Sequence, residues 1–455
     1  YFDGERWRRK PEMSDIEIPQ SIKIAVQSRI SKLNESTQDV LRNAAVIGRE
    51  FSFKLLKKVT QFEEDKLINC LEDAIKSKQI QELKKEGEER FSFIHALIQT
   101  ALQDSLSGMR KTRLHRRVAQ VIEEVIPDAF QRLAYHWSKG GNEEKALDYT
   151  IKAAVEAKQR FANADAIRLF GKALEFLSEN DDRRFDLLKA RAEIYNMTGD
   201  RISQRAEIEA MLMVSEMHAD KAMQIDSLHA VAELYLEIDV KKALEPAESA
   251  YKISQKTDDL PRLAKSAHLI GIYHFRYYEF HQSLRYYVEA VQIARKAGLK
   301  YELLEYLRYL AGAQSNIGQT EAKIATALET VDLCNELNDP RSIVIGKRLL
   351  AMAYHAKGRF EEGLSLCQTA VKMAREIGDL EQEFETLNIL AWNLDGLGRW
   401  EEEEKIYLMM IQDFNIFDFH RVIVALNNLV KLYETLGEYE KNHVLVRNLM
   451  EKARQ

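Results

Sequence analysis

Apolar positions fall into two textures along this chain. Up to about residue 125, short helical and strand-like spacings alternate. The stretch "RFSFIHALIQTALQDSL" (90–106) is the sharpest case. Phe91 and Phe93 alternate with polar neighbours, as in a strand, and the spacing then turns helical, with Leu97, Ala101 and Leu102 on one face. The single histidine His95 sits at the switch. From there to the end the spacing is helical, and it repeats.

The repeat is the strongest signal in the sequence. Gly318, Gly358 and Gly398 are 40 residues apart, and Gly437 follows after 39. Each opens a similar phrase: "GQTEAKIATAL", "GRFEEGLSLCQTA", "GRWEEEEKIYLMM" and "GEYEKNHVLVRNL". A second marker keeps the same register in "SQKTDDL", "ARKAGLK", "CNELNDP" and "AREIGDL". Each unit therefore predicts helix, turn, helix, turn, with helices of roughly 17 residues, longer than those of a 34-residue tetratricopeptide (TPR) unit. Small residues (Gly271, Ala311, Ala351, Ala391) recur where helices must approach closely. An aromatic (Phe280, Phe360, Trp400, Tyr439) recurs just after the turn, where it would plug between helices. Degenerate units begin near Leu133, so about eight or nine helix pairs are expected. Each pair buries its apolar face only by stacking on its neighbours, which predicts a superhelix with a long concave face.

Earlier in the chain, "IPQSIKIAVQSRISKL" reads as an amphipathic helix. Asn34 and Ser36 are caps for "TQDVLRNAAVIG", and "FSFKLLKKVT" and "EEDKLINCLEDAIKSK" are two further helices. "QIQELKKEGEERFSFIH" is a hairpin turning at 84–89. Helices followed by a β-hairpin form the pattern of a winged helix. The fold class expected is mainly α: a small winged-helix domain, then a TPR-like α-solenoid.

Composition narrows the function classes. The chain has 455 residues and a net charge of −6, so no global basic field argues for nucleic acid. Its 6 prolines leave long helices uninterrupted. Cys70, Cys334 and Cys367 lack zinc-site spacing and suit a reducing, cytoplasmic compartment; the latter two read as packing residues. No apolar run of about 18 residues exists to span a membrane. No phosphate-binding G-x-x-x-x-G-K-[ST] occurs, so no enzyme is expected in this chain and no cofactor is bound by it. The opening "YFDGERWRRK" reads as a piece of a longer protein.

The phrases "IPQSIKIAVQSRISKL", "DVLRNAAVIGREF", "RFSFIHALIQTAL" and "RLHRRVAQVIEE" occur in order between Ile18 and Glu124. This segment resembles the winged-helix domain of STAND-type ATPase regulators, with a maltose-regulon-activator-like organisation. In that family an AAA-type ATPase module precedes the winged helix and TPR-like repeats follow it. The resemblance implies a segment joining lid to winged helix at 1–17, a winged helix at 18–126 and a TPR-like superhelix at 127–455. It also implies ATP or ADP in the intact protein, bound by an upstream ATPase module that contacts this chain. His95, in Ile94-His95-Ala96, matches the histidine of the family's Met-His-Asp motif, which senses the ADP phosphate; the acidic residue is replaced by Ala96. The residue-level alternative is a histidine bonded within its own domain.

Candidate ligand contacts lie on the first helix of each unit. Aligning units on their turns puts His268, Arg308, Arg348, Asn388 and Asn427 in one column. A second holds Ile272, Gly312, Met352, Trp392 and Lys431, and a third Phe275, Ser315, His355 and Asp395. Cationic, amide and aromatic groups together suit a protein, an anionic peptide or a small polar effector; the alternative is an ordinary solvated face. "RKTRLHRRV" (110–118) reads as a solvated face or a contact to the ATPase module, because the helix before the hairpin begins acidic. Glu401–Glu404 reads as a helix first turn suited to the dipole. The function expected is a sensor region of a signalling ATPase. The alternatives are the regulatory region of a nucleotidyl cyclase or kinase, and a plain TPR scaffold.

Overall fold

The computed structural model describes residues 27–83, 89–413 and 419–452. By Cα packing the chain divides into two compact units, Tyr1–Glu207 and Ile208–Gln455. The expected connecting segment at 1–17, the start of the following helix and residues 84–88 of the hairpin turn lie outside the described residues.

After helical residues 27–30, unit one continues with α1 (Glu35–Ile47), whose Asn34 cap accepts from the Thr37 amide at 2.7 Å. Then come β1 (Glu50–Ser52), α2 (Phe53–Thr60), α3 (Glu64–Lys76), β2 (Ile80–Leu83), β3 (Arg90–Phe93), α4 (Ala96–Asp104) and α5 (Gly108–Val125). The three strands form an antiparallel sheet in the order β1-β3-β2, with Phe51 opposite Phe91 and Ile80 opposite Phe93. The sequence reading took "FSFKLLKKVT" as helix throughout, but its first residues pair in β1. Ser52 then caps α2 through its side chain. Packing drives the pairing: Phe51 stacks on Phe91 with ring centroids 5.8 Å apart, and all three sheet phenylalanines are buried. Gln99 and Gln103 of α4 both donate to the Ala45 carbonyl, at 2.9 and 2.7 Å, and so tie α4 to the end of α1.

α6 (Phe130–Lys139), α7 (Glu143–Gln159), α8 (Asn163–Glu175), α9 (Arg184–Thr198) and α10 (Arg201–His218) follow, the division falling within α10. One apolar core runs without a break from Ile30 to Ala146. Glu123 of α5 accepts from Trp137 at 2.9 Å, Lys145 at 3.0 Å and Tyr149 at 2.8 Å, joining three helices through one carboxylate.

Unit two continues with α11 (Lys221–Ile238), α12 (Leu244–Thr257), α13 (Leu260–Arg276), α14 (Phe280–Ala297), α15 (Lys300–Asn316), α16 (Thr320–Leu337) and α17 (Pro340–Ala356). It ends with α18 (Phe360–Ile377), α19 (Leu380–Gly396), α20 (Trp400–Asp413), α21 (Phe419–Leu436) and α22 (Tyr439–Lys452). Among the described residues, seven helix pairs run from Arg184 onward with three helices before them, against an expected eight or nine pairs.

A 17-residue first helix and an 18-residue second helix, joined by short turns, account for the 40-residue period. Each unit needs the left-handed backbone twice. Gly318, Gly358, Gly398 and Gly437 adopt it between the paired helices, and Tyr278 holds the same place at φ 61°. Asp258, Gly298, Asn338 and Gly378 adopt it between units. Asp259, Asp339 and Asp379 then cap the next first helix through side-chain bonds to backbone amides.

The small residues sit where helices cross: Ala311, Ala351 and Ala391 are buried. A Cβ on Gly271 would come within 2.6 Å of the Tyr287 ring. The expected aromatic plug holds at Phe360, whose ring lies where a Cβ on Gly396 would be, 2.7 Å from its Cγ. It does not hold at Trp400 and Tyr439, which are 45% and 63% exposed.

Candidate ligand groove

Helical periodicity fixes which side chains face the same way on α13, α15, α17 and α19, because each first helix carries column residues at i, i+4 and i+7. Neighbouring first helices bring His355 and Trp392 of the columns together, and set other column residues against neighbours outside the columns. Asn428 donates to Asn388 at 2.8 Å, His268 stacks edge-on to Tyr309 at 4.6 Å, and His355 lies 6.2 Å from Trp392 between ring centroids.

The depth of the first column differs from expectation. His268 is 4% exposed and packs among Tyr306, Tyr309 and Tyr287, so it builds the wall instead of lining the groove. Neither ring nitrogen makes a hydrogen bond; the nearest carboxylate, Glu305, stands at 3.7 Å. Burial pushes its pKa down, and Glu305 opposes that only in part. Arg348 is mostly buried as well, 3.6 Å from Glu385 and with its Nε unbonded, and burial lowers its pKa. Asn388 is buried. Asn427 is exposed, and the residue that meets Asn388 is its neighbour Asn428. The turn after α21 is one residue shorter than the turn after α19, so alignment on turn glycines slips the helix by one. Arg308 is exposed, with its guanidinium 4.3 Å from the Tyr309 ring centre.

In the second column, Ile272, Met352 and Trp392 are half-buried and pack on the apolar cores of their units. In the third, His355 is half-buried beside Phe360 at 5.3 Å, and its Nδ1 is enclosed with no partner. Burial lowers its pKa.

A buried column escaped the sequence reading. Five residues after each turn, the chain places Ser283, Lys323, Gly363 and Glu403. Ser283 is fully buried. Lys323 is 3% exposed and spans two first helices, donating to Ser315 Oγ at 3.1 Å and to the Met352 carbonyl at 3.4 Å. Burial lowers its pKa. The hole at Gly363 is filled from the next unit by Asn393, whose Nδ2 donates to the Ile389 carbonyl at 2.8 Å. Glu403 is 5% exposed, so this member of the Glu401–Glu404 run does not lie on a solvated first turn. Burial, and after it Asp395, pushes its carboxyl up to about 7. The available signal was charge at a position that elsewhere takes Gly or Ser.

Outside the groove, His95 is exposed at the start of α4, and its side chain does not cap that helix. The charged run 110–118 divides. His115 is buried, Arg116 donates to the Gly140 carbonyl at 2.9 Å, and Arg110 and Arg113 are exposed. Cys334 and Cys367 are buried packing residues. Among the described residues, no His, Cys, Asp and Glu side chains gather as a metal site, and no helix is long and apolar enough to cross a membrane.

Residues 344–409 match the tetratricopeptide repeat family. No curated relative matches the chain. Among solved structures it is similar to a Signal Transduction ATPase with Numerous Domains (STAND) protein with a tetratricopeptide repeat sensor from Pyrococcus horikoshii. That likeness has 16% identity and a TM-score of 0.58, over 96% of this chain and 66% of that one. This chain thus spans just under two thirds of that protein. It is also similar to aspartyl phosphate phosphatase F from Bacillus subtilis (14% identity, TM-score 0.47, 76% of this chain and 90% of that one). A Rap protein complexed with competence and sporulation factor gives 14% identity and a TM-score of 0.46, over 76% and 93% of the two chains. At 16% identity the likeness to the STAND protein is one of fold. Residues 344–409 thus match tetratricopeptide repeats, and the helix pairs of unit two form a TPR-like solenoid.

Proposed function

We propose that this chain is the sensing and coupling region of a larger STAND-type signalling ATPase. The solenoid takes a protein, a peptide or a small polar effector on the first-helix face of unit two. Residues 18–126, as a winged helix, couple that event to an ATP/ADP switch in a module outside this chain. The observation that carries the sensor role is the lateral meeting of side chains on successive first helices, His355 with Trp392 from the columns and Asn388 with Asn428, one place from the column's Asn427. A continuous strip of amide, cationic and aromatic groups is what a recognition face requires. The coupling role is supported by the order helix, strand, helix, helix, hairpin in 35–93, and by an exposed His95 not spent on capping α4. An imidazole N–H at a helix start suits a phosphate oxygen. An effector that binds the two nucleotide states unequally would shift their populations.

The groove is tested with partners selected on the wild-type chain. Arg348→Ala and Trp392→Ala, each checked by circular dichroism, are expected to weaken binding at least about tenfold, the loss of one good contact. If every selected partner binds both variants as it binds the wild type, the groove reading fails. The coupling is tested in the intact protein, where His95→Ala should speed ADP release; an unchanged release rate would sink it.

A further inference from the structure

The charged run 110–118 on α5 carries more cations than the fold uses. Arg116 is spent on the Gly140 carbonyl, and the charge of Lys111 is felt by buried His115. Arg110, Arg113 and Arg117 remain, at i, i+3 and i+7 on one face of the helix. Among the described residues, none of these three guanidiniums makes an ion pair or a hydrogen bond. The arrangement is costly. Arg113 stands three residues from Arg110 and four from Arg117, the spacings at which like charges repel on a helix. Arg110 lies in the first turn, where the helix dipole opposes a cation. No acid on α5 before Glu123 relieves either effect, and Arg110 and Arg113 are exposed, so packing returns little.

This face lines a cleft. The three arginines look across it to Asp39, Arg42 and Asn43 of α1, and the enclosed volume is about 270 Å³. The carboxylate in its wall is already engaged. Asp39 accepts from one arm of Arg42 at 2.6 Å, while Gln38 accepts from the other arm at 3.1 Å. Asn43 donates to the Asp39 carbonyl at 2.7 Å. Four guanidiniums therefore face one spent carboxylate. The chain as a whole carries a net charge of −6, so this positive patch is local and not part of a general basic field.

We infer that the cleft between α1 and α5 binds a small polyphosphate ligand, its phosphates held by Arg110, Arg113 and Arg117. This site is separate from the groove of unit two and independent of that reading. A guanidinium fork meets two phosphate oxygens at once, and three forks without carboxylate partners are free to do so. Arg110 to Arg117 spans about 10 Å of helix, which suits two or three phosphates in a row better than one. Arg42, fixed by Asp39 and Gln38, supplies a preset positive charge on the facing wall. A bound anion removes the repulsion within the row and the dipole penalty at Arg110, so it stabilises the folded chain. After Arg117, α5 has no further cation, so the row ends with the cleft. A nucleic-acid backbone needs a longer track of phosphate contacts than this.

The test titrates the 455-residue chain with sodium tripolyphosphate, and separately with citrate as a polycarboxylate, by calorimetry at neutral pH and physiological salt. Tripolyphosphate is expected to bind at least about tenfold tighter than citrate. Arg113→Gln should weaken it about tenfold, and Arg113→Lys should recover only part of that, because an ammonium lacks the fork. Without ligand, Arg113→Gln should leave the unfolding midpoint unchanged or raise it, since a repelling charge is removed. Saturating tripolyphosphate should raise the midpoint of the wild type and not that of the triple variant Arg110→Gln/Arg113→Gln/Arg117→Gln. Absence of binding overturns the site, as does affinity retained by the triple variant. Citrate binding as tightly as tripolyphosphate overturns the phosphate assignment. A lowered midpoint in ligand-free Arg113→Gln shows the row to be structural and overturns the argument from unspent charge. Duplex DNA binding tighter than tripolyphosphate through the same arginines overturns the small ligand in favour of nucleic acid.

Discussion

His115 of α5 and His136 of α6 meet through their Nδ1 atoms at 3.0 Å, both buried. One Nδ1 donates and the other accepts, and His136 also faces the backbone of Ile47 at the end of α1. The contact ties α5 to α6 and needs at least one Nδ1 free of a proton, and burial favours the neutral form of both rings. Burial, followed by the charges of Lys111 and Lys139, pushes His115 down to about 4. Burial, followed by His115 and Arg132, pushes His136 down to about 3.

Both folded values lie below the unfolded histidine value of about 6.5, so below that pH the unfolded chain binds more protons. The stability from the neutral pair is therefore intact above pH 6.5 and is lost as pH falls towards 4. Between pH 7 and 4.5 unit one should lose about 3–5 kcal/mol from this source. Hydrogen exchange of α5 and α6 over that range measures it, and protection that stays flat would contradict the pairing.

Glu403 predicts the opposite trend in unit two. Its folded carboxyl, at about 7, lies above the unfolded value, so the folded chain binds more protons between the two values. Stability is then lost as pH rises through 7. Glu403→Gln should stabilise the chain by about 2–3 kcal/mol at pH 8 and change little at pH 4.5. Denaturant midpoints at the two pH values decide it, and an equal shift at both would place the cause elsewhere.

Gly363 and Asn393 are reciprocal. A Cβ at 363 would overlap Asn393 Oδ1 and stand 2.8 Å from its Cγ. Gly363→Ala should cost about 1–3 kcal/mol by overpacking. The equivalents of Asn393 in the two preceding units are Ala353 and Ala313, so adding Asn393→Ala should recover most of that loss. A double-mutant cycle by chemical unfolding checks it; strict additivity would rule the coupling out.

Tyr278 stands where the next units use glycine, at φ 61° and 81% exposed. A non-glycine residue costs about 1–2 kcal/mol there, and its edge contact with Phe280 at 6.1 Å returns part of that. Tyr278→Gly should raise stability by up to about 1 kcal/mol in thermal unfolding, and a lowered midpoint would show the ring contact to dominate.

The repeat was legible because glycine and aspartate mark backbone states that few other residues accept at both ends of the units. The close-packed alanines at 311, 351 and 391 were legible for a similar reason, since a small residue recurring in register has a steric cause. Strand β1 was not, because three residues carry no usable periodicity. The columns gave direction and not depth. Nothing in the register of His268 distinguishes a wall position from a lining one, since three tyrosines from other helices decide it. Lys323 and Glu403 look like solvated first-turn charges in sequence and are buried, Lys323 by reaching across to the next unit's Met352 carbonyl. Asn427 was displaced by a single-residue difference in one turn.

The two left-handed positions per unit make the chain divisible at fixed joints. Asn338-Asp339 and Gly378-Asp379 have the same backbone twist followed by the same capping group, 40 residues apart. Cutting at one and rejoining at the other removes a whole unit without changing the pitch of what remains. Gain or loss of a segment between such joints would alter the reach of the recognition face by a fixed step, so its length can be inherited separately from its chemistry.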